Sequence, residues 1–106
     1  MAVKRLRDYE GRSIRLTAER WEHIQDHPEM AGMGEALEET LAAPEVVVRS
    51  RVDPKAHLYH RFYFGTRVGD KYLCVVVKVQ DDDAFVLTAY LTDKIRRGEV
   101  IWRAKS

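Results

Sequence analysis

Between Glu45 and Thr92 the chain carries four segments dense in β-branched and aromatic residues, "EVVVRSRV", "AHLYHRFYFG", "KYLCVVVKV" and "DAFVLTAYLT", separated by "DPK", "TRVGD" and "DDD". Branched and aromatic side chains fit a pleated, half-buried surface, and Gly, Pro and Asp punctuate it with turns. Breakers this short join each segment to the next as an antiparallel neighbour and leave no room for a helical crossover. An antiparallel meander is therefore the expected centre of the fold.

The residues before it follow a different period. Thr17 stands ahead of "AERWEHIQDH" as an N-cap, with Arg20 rather than Glu three places on, so the capping box is incomplete. A helix is expected over Ala18–His27, because Pro28 pushes the residue before it out of the helical region. At about 100° per residue, Thr17, Trp21, Ile24 and Pro28 share its apolar side, with His27 toward the edge and His23 farther round. "GEALEETLAAP" places Leu37 and Leu41 four apart, beside Ala36 and Thr40, and predicts a second helix ending before Pro44. "DKIRRGEVIW" is expected to add a helical turn and a last strand with Ile101 and Trp102. Residues 1–12 read as a tail or edge hairpin through "DYEGRS", "SIRLT" alternates like a short strand, and residues 13–106 read as a single domain. Helices first and strands afterwards predict an α+β fold, two N-terminal helices packed on one face of a four-stranded antiparallel sheet. The other face is then free for a ligand.

A chain of 106 residues has the size of one small domain. No apolar run approaches the roughly 20 residues that span a bilayer, so no membrane partner is expected. The N-terminal "MAVKRLRDYEG" lacks the apolar centre of a secretion signal, and a cytoplasmic location is the default. Cys74, the single cysteine, sits in "YLCVVVKV" and reads as a small core residue. The net charge of +1 does not imply nucleic acid, but bases gather in "VKRLR", "RSR" and "KIRRG" while acids gather in "GEALEET" and "QDDDA". A neutral chain of this kind can hold a polyanion locally.

Period-two alternation selects the residues that can share the open face: Tyr59, Arg61 and Tyr63; Tyr72, Cys74, Val76 and Lys78 or their odd neighbours; and Thr88, Tyr90 and Thr92. Lys78, the sole charge within "LCVVVKVQ", must reach water or an anion. With His23 and His27 on the helix edge and His57 and His60 on a strand, this set contains what metal-free RNA cleavage needs. One group takes the proton of the ribose 2′-hydroxyl, another protonates the leaving oxygen, and cations hold the charge that gathers on phosphorus. Histidine suits the proton roles and arginine or lysine the third. Each residue also has a plainer use: His27 near a helix C-terminus favours the helix dipole, and the tyrosines fit a half-buried sheet. A zinc site is not expected, because "HIQDH" lacks the glutamate that follows the first histidine of "HExxH" and no further ligands cluster with it. No cofactor is expected either: there is no phosphate-cradling glycine loop, nucleophile elbow or dinucleotide fingerprint.

The succession "RWEHIQDHPEM", "LEETLAAPEVVVRS", "YHRFYF", "YLCVVVKV" and "FVLTAYLTDKIRRGEVIW", from about Ser13 to Trp102, resembles small phage and bacterial domains of the barnase–EndoU–colicin–RelE (BECR) ribonuclease superfamily. The resemblance implies a metal-independent endoribonuclease, toxin- or phage-associated, with RNA as substrate and an antitoxin or immunity protein as a further partner. It implies a catalytic set with a helical histidine, His27 or His23, a basic strand residue, Arg61 or Lys78, and the hydroxyl of Thr88. Tyr59, Tyr63 and Tyr90 are the substrate-binding candidates. The alternative expectation is a non-catalytic RNA- or protein-binding module on the open sheet face, in which tyrosines stack bases and cations pair phosphates. A third is an interaction module that pairs through an exposed edge strand.

Overall fold

The computed structural model describes residues 3–105. It contains seven strands and two α-helices, in the order β1 (Val3–Arg7), β2 (Ser13–Thr17), α1 (Ala18–Gln25), α2 (Gly34–Ala42), β3 (Val46–Ser50), β4 (Ala56–Thr66), β5 (Gly69–Gln80), β6 (Asp83–Thr92) and β7 (Gly98–Arg103). All seven strands form one sheet in the order β1-β2-β6-β5-β4-β3-β7. The expected four-stranded antiparallel sheet with two N-terminal helices is thereby corrected. A hairpin, β1–β2, precedes the helices, β2 joins the sheet by a parallel pairing to β6 at Arg15↔Phe85, and β7 extends the far edge by pairing with β3.

Local chemistry accounts for the helix ends. The Thr17 side chain accepts a hydrogen bond from the Arg20 backbone N–H at 3.0 Å, capping α1. The helix stops at Gln25, two residues short of the expected end. Asp26 closes it as the C-cap, His27 takes extended angles ahead of Pro28, and Pro28–Met30 form a single 3₁₀ turn. In α2, Leu37, Thr40 and Leu41 are buried, and the Thr40 hydroxyl donates to the Ala36 carbonyl at 2.7 Å.

Both helices cover the same face of the sheet. Ile24, Met30, Leu37 and Leu41 pack against Leu6, Ile14, Val47, Tyr59, Leu73, Val75, Val77 and Val86, all buried, and form the principal core. A smaller cluster of Val46, Val48, Leu58 and Cys74, joined by Val76, Tyr90 and Ile95, lies on the opposite face. Ile95 belongs to the connection between β6 and β7, which holds no helical turn and consists of residues 93–97.

The topology constrains this connection. From the end of β6 it must cross β5, β4 and β3 to reach β7. In a flat sheet that path, lateral and lengthwise together, would be about 28 Å, whereas the six steps from Thr92 to Gly98 reach at most about 22 Å. The twist of the sheet shortens the diagonal, and the connection lies across the face opposite the helices as an extended strap. His60, fully buried in β4, fixes it at mid-span: the Arg96 backbone N–H donates to His60 Nε2 at 3.0 Å, and His60 Nδ1 lies 3.3 Å from the Val46 carbonyl oxygen.

Candidate nucleic-acid interface

Strand register decides which polar side chains meet. Ala56, His60 and Phe62 of β4 oppose Lys78, Cys74 and Tyr72 of β5, while Tyr59, Arg61 and Tyr63 oppose Val75, Leu73 and Lys71. Cross-strand partners share a face and successive residues alternate. Lys78 therefore points to the strap face and Arg61 to the helix face. The expected common face of Arg61 and Lys78 is corrected by this register.

Each candidate has a defined place. Arg61 donates to the Ala43 carbonyl at 2.7 Å and lies 3.4 Å from Glu39, so it ties β4 to α2. Tyr63 donates to Glu39 at 2.7 Å on the same helix, and burial raises its phenol to about 12. Tyr59 is buried in the principal core. His23 and His27 are exposed on the helix side, within 4.0 Å of Asp26 and 3.8 Å of Glu29 respectively. On the strap face, Lys78 pairs with Asp53, whose carboxyl this bond holds below the ordinary range. Thr88 is exposed and opposes Val76, and Tyr90 opposes Cys74. A bulge between Val76 and Val77 leaves Leu87 without a partner, which brings Thr88, Tyr90 and Thr92 onto the face of Cys74 and Tyr72.

The structure thus brings Lys78, Thr88 and Tyr90 to one face and leaves His23, His27, Arg61, Tyr59 and Tyr63 on the other. His60, on the strap face, is sealed from solvent with both ring nitrogens engaged, and burial is the main cause that lowers its pKa. His57 is also lowered, first by burial and then by the charges of Arg12 and Arg49, and its buried Nδ1 has no hydrogen-bond partner.

The strap and the β3–β4 connection enclose a groove of about 700 Å³ on the strap face. Arg51, Lys94, Arg96 and Arg97 line it with Ser50, Tyr90 and Thr92, and its one carboxylate, Asp93, is already paired with Lys71. The Arg96 guanidinium lies 5.8 Å from the centre of the Tyr90 ring, within range of a cation–π contact. Burial, then the neighbouring Cys74, raises the Tyr90 phenol above its ordinary value, so it stays protonated and can donate but not serve as a base near neutrality. The Cys74 thiol, pushed up to about 11 by burial, is no nucleophile. "RSR" and "KIRRG" are visible as basic clusters in the sequence, but only the crossing of the strap brings Arg51 to the same groove as Arg96 and Arg97.

A second polar constellation escaped the sequence entirely. The Asp8 carboxylate, fully enclosed, accepts from the Tyr59 hydroxyl at 2.7 Å, from Arg12 Nη1 at 3.1 Å and from the backbone N–H groups of Glu10 and Arg12. Tyr9 packs on Trp102 of β7 with ring centres 4.4 Å apart. These contacts fasten the β1–β2 turn across the sheet, and every acceptor of Asp8 is used in doing so. Among the described residues no group of His, Cys, Asp and Glu is arranged to hold a metal ion, and no helix is long and apolar enough to cross a membrane.

No family model, curated protein or solved structure matches the chain.

Proposed function

We propose that the protein binds single-stranded RNA in the basic groove beneath the strap. The observation that carries this reading is the convergence of Arg51, Lys94, Arg96 and Arg97 on one groove whose single acid is neutralised. Arginine and lysine pair phosphates, and Tyr90, partly exposed and flanked by Arg96, presents a ring to a base.

Cleavage of the bound RNA by 2′-hydroxyl transesterification is a second reading, favoured by the BECR resemblance and by the exposed Thr88 hydroxyl one alternate position from Tyr90. An antitoxin or immunity protein as partner rests on the resemblance alone, and a cytoplasmic site of action on the N-terminal residues, which lack the apolar centre of a secretion signal. One experiment tests both readings: end-labelled mixed-sequence RNA is incubated with the protein in excess EDTA, and retention and fragment ends are measured. Salt-sensitive retention of intact RNA is expected for a binding module, and discrete cuts with 2′,3′-cyclic phosphate ends for the nuclease. Neither retention nor cutting by the wild type sinks both.

A further inference from the structure

The groove opens toward an aromatic surface. Thr92, on the groove wall, opposes Tyr72, and Tyr72 opposes Phe62, so one cross-strand row leads from the groove onto the β4–β5 hairpin. Phe62 meets Tyr72 and Phe64 edge-to-face, each with ring centres 5.0 Å apart. Phe64 is 81% exposed, which is unusual for so large an apolar side chain in a strand. It stands on the end of the β4–β5 hairpin that projects past the last pairings to β3 and β6, Val46↔His60 and Tyr72↔Thr92, so no strand outside the hairpin lies beside it.

We infer that Phe64, Phe62 and Tyr72 form a base-stacking platform that extends the RNA track out of the groove. The inference rests on the groove reading. Phosphates seated on Arg96 and Arg97 leave the attached bases to find a surface, and an aromatic ring takes any base because every base has a π-face. Single-stranded RNA is the fitting occupant, since only unpaired bases can splay onto such rings. The surface adds no charge of its own, so its contribution is independent of salt, unlike that of the groove.

The test compares two polyanions, a mixed-sequence single-stranded RNA and inorganic polyphosphate, which carries the charge without bases. Phe64→Ala is expected to weaken RNA binding about five- to hundredfold for one stacked base lost and to leave polyphosphate binding unchanged. Arg96→Ala weakens both. Because Phe64 is exposed, thermal melting of Phe64→Ala is expected to match the wild type; Phe64→Trp keeps the platform and adds a reporter whose fluorescence RNA quenches and polyphosphate does not. Equal RNA affinity of wild type and Phe64→Ala, with no quenching in Phe64→Trp, overturns the platform while leaving the groove standing. A dimer that Phe64→Ala dissociates, at unchanged RNA affinity, also overturns it and assigns the patch to a second copy of the chain. Failure of the wild type to bind either polyanion removes the groove, and the platform with it.

Discussion

Removing two of the four groove cations should change how RNA binding responds to salt by an amount the structure fixes. Arg51, Lys94, Arg96 and Arg97 line the groove. If each neutralises one phosphate, a single strand releases counterions with a slope of about −0.7 per contact, about −2.8 in all, and affinity falls about fiftyfold between about 50 and 200 mM salt. Arg96→Ala combined with Arg97→Ala halves the count, so the same change of salt should cost only about sevenfold. The strap should survive the double change, because the bond to His60 comes from the Arg96 backbone and Ile95 still packs on the strap face. Fluorescence anisotropy titrations of labelled RNA across the salt range give both slopes. A double variant with the wild-type slope would refute the assignment of phosphates to this groove, whatever its affinity at one salt concentration.

Three further outcomes concern the frame around the groove. Tyr59→Phe removes the 2.7 Å bond to the enclosed Asp8 carboxylate and is expected to lower stability by about 1.5–3 kcal/mol, the range for hydrogen bonds to charged groups, as measured by urea denaturation. Gly98→Ala would place a Cβ 2.2 Å from the Arg49 carbonyl oxygen and 2.5 Å from Val48; parting β3 from β7 should cost about 3 kcal/mol or more, visible as a lower melting temperature. Burial holds His60 and His57 below their ordinary pKa, so the unfolded chain binds protons that the native state refuses. Stability is then full above about pH 6.5 and declines as pH drops through that value. In His60→Leu the slope should be shallower, with only His57 left to supply it; a melting temperature flat from pH 7 down to about pH 5 in the wild type would contradict this account.

Much of the local structure was legible because local chemistry decides it. The branched runs of β3 to β6, the Thr17 cap and the stop before Pro28 depend on residues a few positions apart. The long-range pairings were not legible. Parallel contact of β2 with β6 rests on the one bridge Arg15↔Phe85, and nothing in "SIRLT" names its neighbour. The phase of β4 was hidden for a related reason: Leu58, His60 and Phe62 make as plausible an outward set as Tyr59, Arg61 and Tyr63. The register against Cys74 decides between them. Lys78 bears on the phase of β5, since a lone charge in an apolar strand has only one tolerable side, but the buried Cys74 shares that side, so the sequence left both phases open. "KIRRG" suggested a helical turn because charged residues suit one, but the span to β7 demands an extended chain.

The division of the polar residues between two faces gives His27 particular value as a test. His23 and His27 lie on the helix side, beyond a core that includes Ile24 and Met30, so they and the groove cannot act on one phosphate in this conformation. RNA cleaved while seated on Arg96 and Arg97 must draw its catalytic groups from the strap face, where Thr88 and the protonated Tyr90 can donate hydrogen bonds and Lys78 is held by Asp53. Cleavage unaffected by His27→Ala but lost in Tyr90→Phe with Arg96→Ala would place both binding and chemistry beneath the strap. Cleavage abolished by His27→Ala and untouched by the strap-face changes would move the substrate to the helix side. There Arg61, already committed to Ala43 and Glu39, would have to exchange a protein partner for phosphate.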